Sequence, residues 1–370
     1  MNSYQKDLQK RKEQHLLRTL PLPPEGIDFY SNDYLGLAKS KILSQKIEEE
    51  YQAISNRKNG ASGSRLLSGN SNYSESVERK IADFHNAESA LIYSSGYAAN
   101  IGLISSLATK ETTLFTDELI HASLIDGARL GHSKKVRFAH NDPSDLEQKL
   151  KKVDGQKLVI VESIYSMDGD VCPLGEIAAI CKKQNAMLIV DEAHSVAVMG
   201  KNGEGFAQSI GLEDQVLARV MTYGKGPGIH GATVVGPAWL RYYQINFSRS
   251  MIFSTAPSDH QFASISAMYD VLPEVETERQ QLKSITEYFT SKRKESVGQW
   301  LDSNSQIQSL IVPGNEQVVS MGEKLQDAGI NALPIRKPSV AEGAERIRFC
   351  LHSYNSAEEI DLLFRTLTSP

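Results

Sequence analysis

The feature that most constrains this chain is an alternation of short apolar runs with helix-period segments between about residues 75 and 260. Several of these runs are β-branched and apolar along most of their length, which is typical of parallel strands buried on both faces. Helices join such strands through right-handed crossovers. The alternation therefore predicts an α/β fold, with a mostly parallel central sheet and helices on both faces. The predicted strands are SALIYSS, TTLFTD, KVRFAH, KLVIVES, AMLIVDEAH, LARVMTY and GATVVGP.

The flanking regions predict a smaller second domain. Residues 3–19 predict one surface helix ended by Pro21, and the proline-rich stretch that follows predicts extended chain. A long helical region from SDHQFA to GQWL precedes predicted strands near IQSLIVP, NALPIR and RIRFCLH. Since single cores stop growing near roughly 250 to 300 residues, we expect more than one domain. The predicted division is an N-terminal helix and arm at 1–50, a large domain at 51–260, and a small α+β domain at 261–370 that the arm completes.

Composition and charge exclude several classes of protein. The formal net charge of -5 and a pI near 6.0 argue against nucleic acid as the main partner, because such binding depends on neutralising phosphates. The charged N-terminus lacks the apolar segment of a signal peptide, and no run of 18 apolar residues occurs. We therefore expect no membrane association and a cytoplasmic location. Cys172, Cys181 and Cys350 lack C-x-x-C spacing and predict reduced, partly buried thiols.

A glycine-rich loop surrounds Lys225 in the segment MTYGKGPGIHG. Such a loop can cradle the phosphates of a nucleotide or present the lysine as a reactive amine. Gly226, Gly228 and Gly231 spell G-x-G-x-x-G, but a dinucleotide site needs a helix that opens among the glycines and an acid about 20 residues on. The strand-like ATVVGP follows instead. The pattern therefore favours a reactive amine at Lys225.

Residues 191–194 read DEAH, which is also the signature of nucleic-acid helicases. A helicase further requires G-x-x-x-x-G-K-[ST], whereas Lys225 is followed by glycine. A zinc site at Asp191 and His194 lacks a third ligand nearby in sequence. Neither reading survives, and we expect no metal.

A lysine so placed can form a Schiff base with an aldehyde, and pyridoxal phosphate (PLP) is the biological aldehyde that acts as an electron sink. That chemistry needs an acid beside the pyridine nitrogen, and Asp191 follows a predicted buried strand. His194 can then hydrogen-bond the phenolic oxygen. The same two residues also fit a helix cap or a satisfied core pair, so the residues alone leave both readings open.

A phosphate needs donors, and Ser94-Ser95-Gly96-Tyr97 stands between a predicted strand and the helix AANIGLISSLA. Backbone N–H groups at a helix N-terminus form a ready anion site, although the same residues also fit an ordinary capped helix start. His121 in DELIHASLIDGARL fits either a buried core histidine or a ring that stacks on the cofactor.

From NDYLGLAKS through IRKPSVAEGAERIRF, nearly the whole chain resembles the α-oxoamine synthases, PLP-dependent transferases of fold type I. The resemblance implies a decarboxylative condensation of an amino acid with an acyl thioester. Within the family, the glycines around Lys225 and the phrase VRFAHND are most similar to members that join L-alanine to a pimeloyl thioester in biotin biosynthesis. The acyl group is expected on coenzyme A or on an acyl carrier protein.

The resemblance also implies roles for individual residues. Lys225 carries the cofactor and acts in catalysis with His121 and Asp191. Thr255 reaches the phosphate of the neighbouring subunit, which implies a homodimer with shared active sites. The other implied cofactor contacts are Gly96, Tyr97, Ser166, His194 and Thr222, and the implied substrate contacts are Asn32, Ser339 and Arg348.

Several positions depart from the family pattern, namely Pro227, His230, Lys337 and Ala341, and the N-terminal arm is short. These departures leave the lysine chemistry intact and bear on the acyl substrate. Two alternatives within the class are a glycine C-acetyltransferase and a serine-using enzyme with a long-chain acyl thioester. An alternative from another class is a catalytically silent relative kept as a binding scaffold.

Overall fold

The computed structural model describes residues 2–14, 16–18, 20 and 25–369. The strands are β1 Ile27–Phe29, β2 Ser89–Tyr93, β3 Thr112–Asp117, β4 Lys134–Phe138, β5 Gln156–Glu162, β6 Ala186–Asp191, β7 Ala218–Thr222, β8 Ala232–Gly236, β9 Gln299–Trp300, β10 Ile307–Ile311, β11 Ile330–Ile335 and β12 Arg346–Cys350. The α-helices are α1 Ser3–Glu13, α2 Lys41–Ala53, α3 Asn72–Phe84, α4 Gly96–Leu107, α5 Ala122–Leu130, α6 Pro143–Leu150, α7 Leu174–Lys183, α8 Phe206–Ser209, α9 Ala238–Phe247, α10 Arg249–Ile252, α11 Asp259–Val271, α12 Glu276–Glu295, α13 Asn315–Asp327 and α14 Ala357–Thr368.

The larger of two compact units comprises residues 35–166 and 171–279. Its sheet runs in the order β2-β8-β7-β6-β5-β3-β4, and β4, β3, β5, β6 and β7 are parallel to one another. Strand β8 is antiparallel to both of its neighbours. The predicted fold class and all seven predicted strands of this region are confirmed.

The apolar runs form strands because both faces of the sheet are covered. In β5, the four consecutive side chains from Leu158 to Val161 are fully buried in the main hydrophobic core. Acidic side chains and a threonine stand where several of these strands end. The side chains of Asp117, Glu162, Asp191 and Thr222 therefore stand at the carboxyl edge of the sheet.

The smaller unit contains the described residues up to Tyr34, residues 167–170, and those from Gln280 onward. Its sheet has the order β1-β11-β12-β10-β9, in which β1 is parallel to β11 and the other pairs are antiparallel. The N-terminal arm thus contributes an edge strand to it. The compact units divide the chain at residues 34 and 279, whereas the sequence places the divisions at 50 and 260; their status as separate domains stays a prediction.

Two predicted helix boundaries are wrong. Helix α1 ends at Glu13 rather than at residue 19, because it buries no side chain and so lacks the packing that would extend it; Pro21 lies outside the described residues. Helix α12 ends at Glu295, and the predicted helical QW is strand β9. Trp300 pairs with Leu310 of β10 and packs among aromatic rings, so tertiary contacts override the helical pattern there.

Two further findings concern membranes and metals. Among the helices of the described residues, none combines the length and apolarity that crossing a bilayer requires. Within the same residues, His, Cys, Asp and Glu side chains form no group of three or more suited to a metal ion. The cysteines Cys172, Cys181 and Cys350 are all buried.

Candidate active site

A cavity of about 320 Å³ lies in the larger unit, at the carboxyl ends of β5, β6 and β7. In open α/β sheets, ligands bind in crevices at this edge. The cavity is lined by Ser95, Gly96, Tyr97, Asn100, His121, Ser123, Glu162, Asp191, Ala193, His194, Thr222, Gly224, Lys225, His230 and Gly231.

Lys225 stands on a loop that hydrogen bonds hold closed between β7 and β8. The backbone N–H of Tyr223 donates to the oxygen of Gly231 at 3.0 Å, and that of Ile229 donates to the oxygen of Tyr223 at 3.0 Å. Gly228 donates to the backbone oxygen of Lys225 at 2.8 Å and has a φ of +69°, which favours glycine. The loop thereby fixes the backbone of the half-buried lysine against the pocket.

Asp191 is a buried carboxylate at the end of β6, with 4% of its surface exposed. Its Oδ1 accepts from the backbone N–H of Ala193 at 2.9 Å, and its Oδ2 accepts from Nδ2 of Asn100 at 2.7 Å. Asn100 also donates to the hydroxyl of Ser123 at 2.9 Å. These hydrogen bonds hold the side chain of Asp191 at the pocket wall. His194 lines the same pocket.

His121 lies immediately before α5 and caps it. Its Nδ1 accepts from the backbone N–H of Ser123 at 3.2 Å, and its own backbone N–H donates to Oε1 of Glu162. The ring is accessible through the pocket, so His121 is not a core histidine. Desolvation by the surrounding protein lowers the pKa of the imidazole, and the Lys225 charge acts in the same direction against the opposing Asp191 carboxylate. The ring is therefore neutral at pH 7.

One end of the pocket suits an anion. Ser95 caps α4 by accepting from the backbone N–H of Ala98 at 3.2 Å, so the helix begins at Gly96 beside the cavity. A Cβ on residue 96 would lie 2.5 Å from the Cγ2 atom of Thr222, which makes glycine necessary there. Oγ1 of Thr222 is buried and has no hydrogen-bond partner among the described residues. A helix N-terminus beside an unsatisfied hydroxyl fits a bound phosphate.

The structure brings seven of the predicted cofactor contacts together, and two others lie outside the lining of this cavity. Ser166 follows β5 in the same unit, and Thr255 lies in an exposed segment before α11. The predicted contacts that line the cavity are Gly96, Tyr97, His121, Asp191, His194, Thr222 and Lys225.

The predicted substrate residues belong to the smaller unit. Nη2 of the buried Arg348 donates to Oδ1 of Asn32 at 3.0 Å, and the hydroxyl of Tyr34 donates to the same oxygen at 3.1 Å. The structure thus brings Asn32 and Arg348 together. Ser339 lies in an exposed segment, where its hydroxyl accepts from Nη2 of Arg18 at 3.2 Å.

Sequence reasoning missed several lining residues. Glu162 lies next to the end of the predicted strand KLVIVES and pairs in register with Asp191, so the neighbouring strand ends gave a usable signal. Asn100 stands one helical turn after Gly96, on the same face of α4. Ser95 belongs to the predicted anion site, and the other lining residues that were not predicted are Ser123, Ala193, Gly224, His230 and Gly231.

Comparison with known proteins defines the class. Residues 24–367 match the family model described as aminotransferase class I and II. The chain therefore belongs to this family, and the resemblance to the α-oxoamine synthases of fold type I is confirmed.

Two curated relatives are similar over almost their whole length. An 8-amino-7-oxononanoate synthase from Lysinibacillus sphaericus is 35% identical over 374 residues, which cover 97% of this chain and 95% of the relative. One from Emericella nidulans is 37% identical over 394 residues, which cover all of this chain and 95% of the relative.

Solved structures give the same class. A serine palmitoyltransferase from S. paucimobilis, solved with a bound PLP–myriocin aldimine, is 27% identical with a TM-score of 0.88 and covers 99% of this chain and 96% of that one. An 8-amino-7-oxononanoate synthase from Francisella tularensis is 28% identical with a TM-score of 0.78 and covers 92% and 96%.

Proposed function

We propose that this protein is a PLP-dependent acyltransferase that condenses L-alanine with a pimeloyl thioester in biotin biosynthesis. The products are 8-amino-7-oxononanoate, carbon dioxide and a free thiol. The observation that carries the proposal is the pocket in which Lys225, the buried Asp191 carboxylate and the unsatisfied Thr222 hydroxyl meet. The curated relatives of that name support the choice of substrates.

The residues of the pocket fit PLP in three respects. Lys225 supplies the amine that binds the aldehyde, and Asp191 supplies an acid for the pyridine nitrogen. The N-terminus of α4 and Thr222 supply donors for the phosphate. When bound, PLP withdraws electron density from the Cα of an amino acid.

Lys225 takes the Cα proton of the amino acid and later returns it, which is general base and acid work by one amine. Asp191 would pair with the pyridine nitrogen of PLP, and the hydrogen bonds that Asp191 accepts from Asn100 and Ala193 hold its side chain in place. His121 covers the pocket and stabilises charge on the ketone oxygen as the new carbon–carbon bond forms. By the family resemblance, His194 and Ser166 would hold the phenolic oxygen of PLP.

We propose, from the family resemblance, that Arg348 and Asn32 bind the carboxylate of the amino acid, with Ser339 near them. A guanidinium suits this role because it matches a carboxylate with two parallel hydrogen bonds. By the same resemblance, the protein is a homodimer in which Thr255 binds the phosphate of the partner subunit. We expect it in the cytoplasm.

The proposal is tested with a panel of acyl donors at fixed L-alanine, in which released thiol and carbon dioxide are measured together. Pimeloyl groups are presented on coenzyme A and on an acyl carrier protein, beside acetyl-CoA and palmitoyl-CoA. We expect pimeloyl donors to give the highest kcat/KM, with one thiol per carbon dioxide. Release of both products only with another donor would overturn the substrate assignment.

Two alternatives are resolved by the same reagents. The serine palmitoyltransferase structures favour including serine with a long-chain thioester in the panel, and glycine with acetyl-CoA covers the acetyltransferase. The catalytically silent alternative is tested by colour. A protein that gains no visible absorbance with added PLP would favour a binding scaffold over an enzyme.

A further inference from the structure

Two buried carboxylates stand side by side in the candidate active site. Glu162 ends β5 and Asp191 ends β6, and the register of these parallel strands pairs the two residues directly. Their exposed fractions are 3% and 4%, and both line the pocket. Two negative charges this close in a desolvated site disfavour each other, so one of the acids tends to keep its proton.

The surroundings of the two acids are different. Asp191 accepts from a backbone N–H and from the amide of Asn100, as described above. Glu162 accepts the backbone N–H of His121. The charged groups that face Glu162 are Asp191 from β6, Asp117 from β3 and Lys225 from the loop after β7.

Desolvation raises the pKa of Glu162 well above its ordinary value, and the charges of Asp191 and Asp117 act in the same direction. The hydrogen bond from His121 and the charge of Lys225 lower it without reversing the shift. The direction of this shift favours a protonated Glu162 in the pair.

The segment before α5 is anchored by acids at both ends. Oδ1 of Asp117 accepts from the backbone N–H of Leu119 at 2.8 Å, and Glu162 accepts from that of His121. His121 in turn caps α5 through Ser123. The position of its ring over the pocket therefore depends on the acceptor at residue 162.

We propose that Glu162 acts as a neutral carboxylic acid whose carbonyl oxygen holds the His121 backbone and thereby positions the imidazole over the pocket, beside the side chain of Asp191. Glu162 is a positioning residue because it acts through His121. The inference rests on the proposed function only in that His121 is the residue that covers the cofactor.

The first test uses exchange of the Cα proton of L-alanine in D₂O by the PLP-loaded protein, which needs no acyl donor. Glu162→Gln keeps a neutral carbonyl acceptor, so we expect its rate within about threefold of wild type. Glu162→Ala removes the acceptor and should slow exchange at least about tenfold, because His121 also covers the cofactor at which the Cα proton is removed and small misplacements are costly in such sites. In a His121→Ala background, the further loss caused by Glu162→Ala should disappear.

The second test needs neither cofactor nor substrate. A carboxyl group whose pKa is higher in the folded protein than in the unfolded protein makes its full contribution to stability at pH values below its ordinary pKa. This contribution is lost as the pH rises through the pKa of the folded protein. The amide of Glu162→Gln cannot lose a proton. The Tm of the variant apoprotein minus that of wild type should therefore increase steadily from pH 5 to pH 8. The matched control Glu287→Gln, on an exposed site of α12, should show no such trend.

These outcomes separate the two proposals. The role of Glu162 would be overturned if Glu162→Gln slowed exchange as much as Glu162→Ala does. It would also be overturned if Glu162→Ala had its full effect in the His121→Ala background, or if the difference in Tm did not change with pH. Absence of product with every thioester would overturn the proposed function, yet the apoprotein measurement would still decide the charge of Glu162.

Discussion

The pocket around Lys225 in the larger unit and the cluster of Arg348, Asn32 and Tyr34 in the smaller unit are built in different ways. The pocket collects side chains from separate strand ends and one helix start, and it leaves the buried Thr222 hydroxyl unsatisfied among the described residues. In the cluster, Arg348 donates to Asn32, which also accepts from Tyr34. The pocket therefore presents a lysine, a carboxyl group and a hydroxyl to one cavity, whereas the cluster holds its arginine through a hydrogen bond to Asn32.

This difference separates the expected effects of substitution. Changes in the pocket should alter cofactor binding and the chemical step, which appear in the PLP affinity and in kcat. Changes in the cluster should alter recognition of the amino acid, which appears in its KM. A variant that moved the wrong quantity would break the comparison.

The largest effect is expected for Lys225→Ala. Loss of the amine removes both the covalent attachment and the base, so turnover should fall roughly 10³-fold or more, and the visible absorbance of the PLP-loaded protein should disappear. Spectra and turnover are measured beside Lys201→Ala, a control on an exposed loop. An active, yellow Lys225→Ala protein would refute the assignment.

Asp191→Asn is expected to keep PLP bound but to lower turnover by roughly 10² to 10³-fold, because a neutral amide no longer favours the protonated pyridine nitrogen. Cofactor content and kcat are measured in the same preparations. Asp270→Asn, at an exposed ion pair with Lys80, serves as the matched control. Near-normal turnover in Asp191→Asn would contradict the proposed role of the carboxylate.

Arg348→Lys tests the cluster of the smaller unit. An ammonium cannot reproduce the forked geometry of the guanidinium, so the KM for L-alanine should rise roughly 10- to 100-fold, with a smaller change in kcat and unchanged PLP affinity. Arg346→Lys is the control, because it lies on the same strand but pairs with Asp168. The comparison fails if both variants raise KM alike.

The smallest effect is expected for Thr222→Val, and it has two opposite parts. The apoprotein should gain about 1 kcal/mol in the free energy of unfolding, because a buried unsatisfied hydroxyl is removed. The affinity for PLP should fall about tenfold, because a donor to the phosphate is lost. Denaturant unfolding and fluorescence titration measure the two quantities, and a loss in both would indicate a packing defect instead.

Much of the central sheet and of the pocket could be predicted, because the pocket residues stand beside strong local signals in the sequence. Several buried strands are apolar runs, and Asp191 and Thr222 are the last residues of β6 and β7. The loop at Lys225 is marked by glycines whose need is visible at Gly228, where φ is positive. Such features are local, so the sequence contains them.

What escaped prediction depends on contacts between distant segments. Glu162 looks like the end of an ordinary strand until its pairing with Asp191 is known. The predicted end of α12 was wrong because Trp300 lies in β9 and pairs with Leu310 of β10. Helical periodicity does not encode this contact. The roles of all the site residues stay predictions, and those of Ser166 and Thr255 rest on the family resemblance alone.

The most direct test of the account is reduction of the PLP-loaded protein with borohydride, followed by peptide mapping. The account predicts one pyridoxyl group on the side chain of Lys225 and none on Lys201. A label on another lysine, or no label on a protein that has bound PLP, would contradict it.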